Sequence, residues 1–325
     1  MKIFLTHPPA FRTNYFGAPA LEALRGMATI LLHEDEAVLT PADLVRAAWD
    51  VDFIISDRMT TGTAEVFENL PGLKGFLRVA VDIRNIDVAA ASAVGALVTR
   101  ARPGFVASVS ELAVGFLVDL SRGISRATAD YHAGRVPEAC MGRQLAGSTV
   151  GIIGYGAISR ALAPILASLG MEVLVTDPYA QVEDGRFHQV GFTDLMARSD
   201  YVICLAVATA ETERLIDAAA LARMQPGACL INLSRSQLVH EPSLLAALRK
   251  GQIAGAAMDV GAAPDQMPSP EIACLPNVIA TPHIGGLTPQ AIASQAFDVV
   301  GQVKAILAGE IPDGAANAEF WTRRL

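Results

Sequence analysis

The stretch from Thr149 to Asp177 constrains the fold more than any other part of the chain, because it reads as strand, glycine turn, helix and second strand ending in a carboxylate. Gly154 permits the tight turn, and Gly156 lets a pyrophosphate approach the backbone at the N-terminus of the helix. Asp177 lies about 20 residues past the glycines, where a carboxylate accepts hydrogen bonds from both ribose hydroxyls of an adenosine. The segment predicts a dinucleotide site and favours NAD over NADP. Ser159 occupies the third glycine position of the pattern.

Short β-rich runs alternate with helical patterns along the rest of the chain. The runs after residue 148 are TVGIIG, EVLVT, DYVICLA, ACLINL, IAGAAMDV and NVIATP. They predict a parallel, doubly wound sheet. Residues 1 to about 100 repeat the alternation with KIFLT, ATILL, VDFIIS, LKGFLRVAV and GALVT, which predicts a second, smaller α/β domain.

Two long apolar periodicities, SVSELAVGFLVDLSRGISRATADY and PQAIASQAFDVVGQVKAILAG, are candidates for helices that cross between two lobes. If both cross, the first domain is discontinuous. We therefore expect a substrate domain over residues 1–102 and 292–325 and an NAD-binding domain over residues 103–291, with a hinged cleft between them. A length of 325 residues also favours two domains.

Composition excludes several classes of partner. A formal charge of -8 gives no general attraction toward nucleic acid or acidic lipid. No apolar run reaches the ~18 residues of a membrane span, and MKIFLTHPPA lacks the pattern of a secretory signal, so we expect a cytoplasmic location. The cysteines show no CxxC spacing, which predicts buried thiols without chemistry and no metal site; they are Cys140, Cys204, Cys229 and Cys274.

Ligands of open α/β sheets bind beyond the carboxyl ends of the strands. Ser234 and Arg235 follow ACLINL, Asp259 follows IAGAAM, and His283 follows NVIATP. We expect these residues to meet the glycine turn at one edge of the sheet. An arginine and a histidine beside a nicotinamide suggest hydride chemistry on an anionic alcohol or ketone.

Charge suggests a role for each residue. Arg235 offers a planar fork that holds a carboxylate, and His283 exchanges a proton with a substrate hydroxyl. Asp259 would lie near the nicotinamide ring. Taken singly, each has an ordinary structural role available: Arg235 as a helix cap, His283 as a turn residue, Asp177 as a cap before Pro178. Their joint position at successive strand ends favours the functional interpretation.

The chain resembles the D-isomer-specific 2-hydroxyacid dehydrogenases over nearly its whole length. The matching stretches are LKGFLRVAVDIRNIDVAAA, SVSELAVG, STVGIIGYGAIS, VTDP, SDYVICLAVATAETERLI, LARMQPGACLINLSR, GAAMDV and LPNVIATPHIGG. The resemblance implies a Rossmann NAD domain with a smaller flavodoxin-like substrate domain, a homodimer, and interconversion of 2-keto and D-2-hydroxy acids. Arg235 then looks like the substrate arginine and His283 like the acid/base. The implied cofactor contacts are Gly154, Gly156, Ala157, Ile158, Asp177, Ala206, Ser234, Asp259 and His283.

One departure from the family concerns the partner of the histidine. The resemblance implies a glutamate after DV that bonds to His283, but a gapless match places Pro264 there, with Asp265 next. A carboxylate partner raises the pKa of a histidine, so without one we expect His283 to stay nearer its free value, which favours alcohol oxidation. Asp265 or Glu271 is a possible substitute acid.

A second departure lies in the substrate loop, VAVDIRN, where Ala80 and Asp82 replace glycines of the family pattern. Asp82 brings negative charge toward an anionic substrate. Arg84 could compensate for that charge or itself recruit a carboxylate. Alternatively, Asp82 and Arg84 merely pair with each other or with solvent. Ser236 and Gln237 also replace a glycine pair after the arginine and narrow the pocket. We expect a polyhydroxy or bulkier acid rather than glyoxylate, hydroxypyruvate or pyruvate.

Three functions remain open from the sequence. The leading hypothesis is an NAD-dependent 2-hydroxyacid dehydrogenase. The second is a catalytically weak NAD-sensing or interaction protein on the same scaffold, and the third is an oxidoreductase acting on an anion other than a carboxylate.

Overall fold

The computed structural model describes residues 1–325, which divide into two compact units. The first unit comprises Met1–Phe105 and Leu287–Leu325, and the second comprises Val106–Gly286. The chain therefore leaves the first unit once and returns to it near the C-terminus.

The first unit begins with alternating strands and helices. Their bounds are β1 Lys2–Leu5, α1 Pro9–Tyr15, α2 Ala18–Arg25, β2 Thr29–Leu32, α3 Pro41–Ala47, β3 Phe53–Ser56, α4 Ala64–Asn69, β4 Gly75–Arg78, α5 Val88–Ala93 and β5 Leu97–Arg100.

The second unit contains a longer series of strands and helices, and the last α-helix of the chain belongs to the first unit. The bounds are α6 Val106–Arg122, α7 Ile124–His132, β6 Thr149–Ile153, α8 Ala157–Ser168, β7 Glu172–Thr176, β8 Phe187–Gln189, α9 Phe192–Arg198, β9 Tyr201–Cys204, α10 Ala218–Leu221, β10 Cys229–Asn232, α11 Glu241–Arg249, β11 Gly255–Met258, α12 Pro270–Ala273, β12 Val278–Ala280 and α13 Pro289–Leu307. None of these helices is both long and apolar enough to cross a bilayer.

The sheet of the first unit has five parallel strands in the order β2-β1-β3-β4-β5. Successive residues of a strand point to opposite faces, and the core follows that alternation. Ile3 and Leu5 of β1 belong to one buried cluster, whereas Phe4 belongs to another. Both faces of the sheet are therefore covered, as expected of a doubly wound fold.

The sheet of the second unit has seven parallel strands in the order β12-β11-β10-β9-β6-β7-β8. The predicted parallel α/β class is confirmed for both units, and every strand-like run named from the sequence contains a strand. The sequence analysis does not predict β8. This edge strand has only three residues, Phe187–Gln189, and the last two are exposed, so its sequence lacks an apolar run.

The cysteines divide into two pairs. Cys204 and Cys229 are buried in β9 and β10, and burial raises their pKa values to about 12 and about 11. The prediction of buried thiols is wrong for the other two. Cys140 lies in an exposed segment without regular structure, and Cys274 ends the short surface helix α12.

Candidate active site

Six strands of the second sheet end at one edge, because β6, β7 and β9 to β12 all pair in parallel. Neighbouring strands lie about 4.8 Å apart, so the ends of β10 and β12, on either side of β11, are roughly 10 Å apart. The residues that follow the strand ends are those singled out from the sequence: Gly154, Asp177, Ala206, Ser234 with Arg235, Asp259 and, three residues past β12, His283. The parallel topology thus collects these residues along one edge.

The turn after β6 requires glycine at its first position. Gly154 has φ of 92°, and a Cβ there would lie 2.7 Å from the Cα of Ala206. The Ser159 hydroxyl, at the third glycine position of the sequence pattern, donates to the carbonyl of Gly154 at 2.7 Å. This serine therefore ties the first turn of α8 to the glycine turn. The helix continues through Pro164 to Ser168.

The N-terminus of α8 fits a pyrophosphate. Gly156 is exposed, and a Cβ placed on it would meet no atom within 4 Å. No side chain caps this helix, and its first turn carries no acidic residue. Ala157 is exposed and Ile158 is half-buried. Unpaired amides at a helix N-terminus favour anions, so the residues present match the cofactor that the sequence predicts.

Asp177 accepts hydrogen bonds from three backbone amides. Its Oδ2 accepts from Tyr155 at 2.7 Å, and its Oδ1 accepts from Tyr179 and Ala180, each at 2.8 Å. Partial burial opposes ionisation, but these amides, with Arg160 nearby, hold the pKa of Asp177 below its ordinary value. A carboxylate offers about four acceptor positions. Oδ2 therefore keeps capacity for a ribose hydroxyl.

The turn after β10 positions Arg235. Asn232, the buried last residue of β10, accepts from the amide of Ser234 at 3.1 Å and donates to the carbonyl of Arg235 at 3.1 Å. The hydroxyl of Ser234 donates to the carbonyl of Ala206, and Nη1 of Arg235 donates to the carbonyl of Ser234 at 2.7 Å. Asn232 thus fixes the backbone on both sides of the turn.

Ser236 and Gln237, expected to narrow the pocket, belong to the 3₁₀ turn Ser236–Leu238. Ser236 is half-buried and Gln237 is exposed. Their influence on a substrate stays a prediction.

Asp259 holds the backbone around the histidine. Its Oδ1 accepts from the Thr281 hydroxyl at 2.6 Å and from the Ile284 amide at 2.8 Å, and its Oδ2 accepts from the Gly285 amide at 2.8 Å. Only 3% of Asp259 is exposed. These contacts make Asp259 an anchor for the loop that carries His283, and its position near the nicotinamide stays a prediction.

His283 contacts the backbone at the position of the expected carboxylate. Its Nδ1 lies 2.9 Å from the carbonyl oxygen of Asp265. Pro264 begins the 3₁₀ turn that contains Asp265. Glu271, the other candidate substitute, instead accepts from Arg249 at 3.2 Å on the surface. The imidazole thus contacts the peptide group of Asp265.

In the first unit, the substrate loop follows β4. Nε and Nη2 of Arg84 donate to both carboxylate oxygens of Asp82 over 2.6 to 3.1 Å. This hydrogen bonding raises the pKa of Arg84. The carbonyl of Ala80 accepts from the amide of Ala101 at 3.0 Å. Of the two alternatives left open by the sequence, the direct pair between Asp82 and Arg84 is present.

Sequence reasoning missed two residues of the site, Asn232 and Thr281. Each is a polar residue at or just after the end of a strand, Asn232 in β10 and Thr281 after β12. That position is the signal that could have identified them, because a polar side chain at such a strand end needs a hydrogen-bond partner.

Comparison with known proteins identifies the family of this chain. Residues 114–285 match the family model described as D-isomer specific 2-hydroxyacid dehydrogenase, NAD binding domain. D-3-phosphoglycerate dehydrogenase of Mycobacterium leprae is 36% identical over 85% of this chain, which covers 53% of that protein. The chain therefore spans about half the length of such relatives. Glyoxylate reductase of Thermococcus litoralis is 30% identical over 97% of this chain and 98% of its own length.

Solved structures show the same fold. The TT0316 protein of Thermus thermophilus superposes with a TM-score of 0.88 at 26% identity, covering 97% of this chain and 100% of the other. A D-2-hydroxyisocaproate dehydrogenase gives a TM-score of 0.85 at 25% identity, covering 98% of this chain and 100% of the other. The family model and these relatives together show that the chain belongs to the D-isomer specific 2-hydroxyacid dehydrogenase family.

Proposed function

We propose that this protein is an NAD-dependent dehydrogenase that interconverts a D-2-hydroxy acid and the corresponding 2-keto acid. One observation carries the proposal. The strand ends that bear the glycine turn and Asp177 share an edge with those that bear Arg235 and His283. Family membership supports an enzyme and does not favour an NAD-sensing protein on the same scaffold.

The two functional side chains take complementary roles in oxidation of the alcohol. The His283 imidazole accepts the proton of the 2-hydroxyl group as the carbon-oxygen double bond forms. Bound NAD would supply the acceptor for the hydride that leaves C2. In reduction, the imidazolium of His283 returns the proton to the carbonyl oxygen. One proton and one hydride leave the alcohol, so the keto acid, NADH and a proton are the products.

Arg235 holds the anionic end of the substrate. Its guanidinium presents parallel N–H donors that match a carboxylate, and it stays charged over the working pH range. The bond from Nη1 to the carbonyl of Ser234 fixes the direction of the guanidinium. Asn232 fixes the backbone beneath it.

We propose that the loop from Ala80 to Arg84 selects an atypical acid. The paired charges of Asp82 and Arg84 cancel, so the loop adds little net attraction for a second anionic group. The Ala80 methyl hinders backbone approach by a small carboxylate. These features support a polyhydroxy or bulkier D-2-hydroxy acid over glyoxylate, hydroxypyruvate and pyruvate.

Turnover of a substrate panel tests the activity. NADH formation is measured with D- and L-2-hydroxy acids of increasing size and hydroxylation, and NADH consumption with 2-keto acids, including the three small ones above. We expect turnover of D-acids only, with small keto acids as poor substrates. Full activity on glyoxylate or pyruvate would contradict the substrate assignment, and NAD binding without turnover of any acid would contradict the enzyme.

Two variants assign the roles. His283→Ala should bind NAD normally and lose turnover by at least about 100-fold. Arg235→Lys keeps the charge but loses the planar fork, so we expect a large rise in KM for the acid and an unchanged Kd for NAD. Arg235→Lys with native KM would exclude the carboxylate role.

We also propose a homodimer, which the family resemblance implies. Helix α7 has no buried residue, and the segment after it is almost entirely exposed. Three large apolar side chains of this region are exposed by 63%, 86% and 99%: Tyr131, Val136 and Met141. Light scattering should give twice 34.2 kDa, and Val136→Glu/Met141→Glu should reduce it to the single-chain mass. A single-chain mass for the unaltered protein would exclude the dimer.

The cytoplasmic location stays a prediction.

A further inference from the structure

The contact between His283 and the backbone determines which ring nitrogen carries the proton. A carbonyl oxygen only accepts hydrogen bonds, and the carbonyl of Asp265 lies 2.9 Å from Nδ1. Nδ1 therefore carries the hydrogen of the neutral ring, and Nε2 keeps its lone pair. We propose that the peptide carbonyl of Asp265 is the positioning group that holds His283 in this tautomer. The inference rests on the proposed function, in which Nε2 is the proton acceptor.

The loop before His283 is shaped to present this carbonyl. Asp265 has φ of 56° and Gln266 has φ of 58°, so two consecutive residues other than glycine adopt the left-handed conformation. Such residues persist only when the surrounding structure enforces the conformation. Two hydrogen bonds close the loop, from the amide of Gly261 to the carbonyl of Gln266 at 2.7 Å and from the amide of Ala263 to the carbonyl of Met267 at 2.9 Å.

Gly261 also helps to hold the loop in this conformation. A Cβ at this position would lie 2.4 Å from the Cα of Pro268 and 2.8 Å from the carbonyl oxygen of Met267. Only glycine allows the two ends of the loop to approach this closely. Backbone packing thus restricts the direction of the Asp265 carbonyl.

The histidine itself is held from the other side. His283 also has positive φ, 55°, and its amide donates to the carbonyl of Thr281 at 2.9 Å. Asp259 accepts from Thr281, Ile284 and Gly285, which surround His283 in sequence. Three of the four residues other than glycine with positive φ therefore lie at this contact: Asp265, Gln266 and His283.

The arrangement has a chemical consequence for proton transfer. When Nε2 accepts the hydroxyl proton, the ring becomes an imidazolium with a hydrogen on each nitrogen. The Nδ1 hydrogen remains bonded to the Asp265 carbonyl, so the ring does not rotate or exchange tautomers between the two charge states. The peptide carbonyl supplies this orientation as a neutral acceptor.

Nitrogen-15 NMR of the ligand-free protein tests the tautomer without requiring turnover. The chain has six histidines, and the resonances absent from His283→Gln identify this ring. At a pH where the ring is neutral, we expect shifts of a protonated Nδ1 and an unprotonated Nε2, the minor tautomer of histidine in water. Shifts of a protonated Nε2 would overturn the proposal. The tautomer is read from the native protein, so the result decides the proposal even if an Asp265 variant fails to fold.

Three substitutions at one position then separate the carbonyl from the side chain. Asp265→Asn and Asp265→Gly keep a left-handed residue and its carbonyl, so we expect the native tautomer, since asparagine and glycine adopt positive φ readily. Asp265→Pro fixes φ near −65°. It should change the tautomer ratio and lower kcat by at least about 10-fold, with NAD affinity retained.

The outcomes distinguish this proposal from the proposed function. If Asp265→Asn and Asp265→Gly change the tautomer ratio as fully as Asp265→Pro, the carboxylate is the positioning group and the carbonyl is not. If the native tautomer is found but no acid is oxidised, the positioning stands and the enzyme assignment fails. If the protein oxidises acids and Nε2 of His283 carries the proton, the enzyme assignment stands and the positioning proposal fails.

Discussion

Alanine substitutions at Gly154 and Gly156 should affect different properties, although only one residue separates the two glycines. Gly154→Ala should lower the stability of the fold, and Gly156→Ala should lower the affinity for NAD. At Gly154, φ of 92° is unfavourable for any residue with a Cβ, and that Cβ would lie 2.7 Å from the Cα and 2.8 Å from the amide nitrogen of Ala206. The conformational cost is about 1–2 kcal/mol. The clash with rigid backbone adds about 1–3 kcal/mol.

The expected loss for Gly154→Ala is therefore about 3 kcal/mol of unfolding free energy, or a fall in Tm of roughly 6–12 °C for a domain of this size. Gly156→Ala meets open space at φ of −81°, so its only structural cost is the poorer N-cap, at most about 1 kcal/mol. Its methyl group would instead stand where the pyrophosphate approaches. We expect Kd for NAD to rise at least about 10-fold, equivalent to 1.4 kcal/mol.

Calorimetric melting and titration with NAD measure the two effects on the same preparations. The reasoning predicts that Gly154→Ala melts early and Gly156→Ala melts near the native temperature but binds NAD weakly. Equal melting temperatures for the two variants would refute the packing argument for Gly154. Native NAD affinity in Gly156→Ala would refute the placement of the pyrophosphate at the start of α8.

Three further substitutions probe the anchoring aspartate, the ribose site and the first unit. Asp259→Asn leaves one acceptor oxygen for three donors, so urea unfolding should show a loss of about 2 kcal/mol, and native stability would contradict the anchoring role. Asp177→Asn removes the negative charge that disfavours the 2′-phosphate of NADP. Titrations should therefore show weaker binding of NAD and tighter binding of NADP. An unchanged ratio of the two Kd values would exclude the ribose role of Asp177. His7 is buried, and burial lowers its pKa to about 4. As pH falls below about 6.5, the unfolded chain therefore binds a proton at this histidine that the folded chain does not bind. The free energy of unfolding should drop by about 3 kcal/mol between pH 6.5 and 4. His7→Gln should lose less stability over that interval in urea titrations, and an identical loss would refute this assignment.

The sequence predicts those parts of the molecule in which side-chain pattern determines structure. Apolar runs mark eleven of the twelve strands. Most of these strands are buried on both faces, and such a strand needs continuous apolar residues. The exception, β8, is an edge strand with two exposed polar residues, so no such pattern exists there. Gly154 and Asp177 were identifiable because a strand, a glycine turn, a helix and a carboxylate about 20 residues later together form the fingerprint of a dinucleotide site.

The contacts around His283 lay beyond sequence reasoning. The sequence offers the side chains of Asp265 and Glu271 as substitutes for the glutamate that Pro264 replaces. The contact in the structure is instead to a peptide carbonyl, which every residue possesses and no sequence pattern marks. The role of Asp259 depended on the path of residues 281–285, which wraps around its carboxylate. Backbone direction at positive φ in Asp265 is a product of loop closure and is not encoded in that residue's type.

Transfer of a labelled hydrogen decides whether the protein moves a hydride from C2 of an acid to the nicotinamide with His283 as the base. A D-2-hydroxy acid from the panel, deuterated at C2, is incubated with the protein and NAD, and the nicotinamide is isolated and examined by mass spectrometry and NMR. We predict deuterium at C4 of the nicotinamide with native protein and at least about 100-fold slower labelling with His283→Ala. Deuterium that appears in water, or labelling that His283→Ala does not slow, would contradict this mechanism.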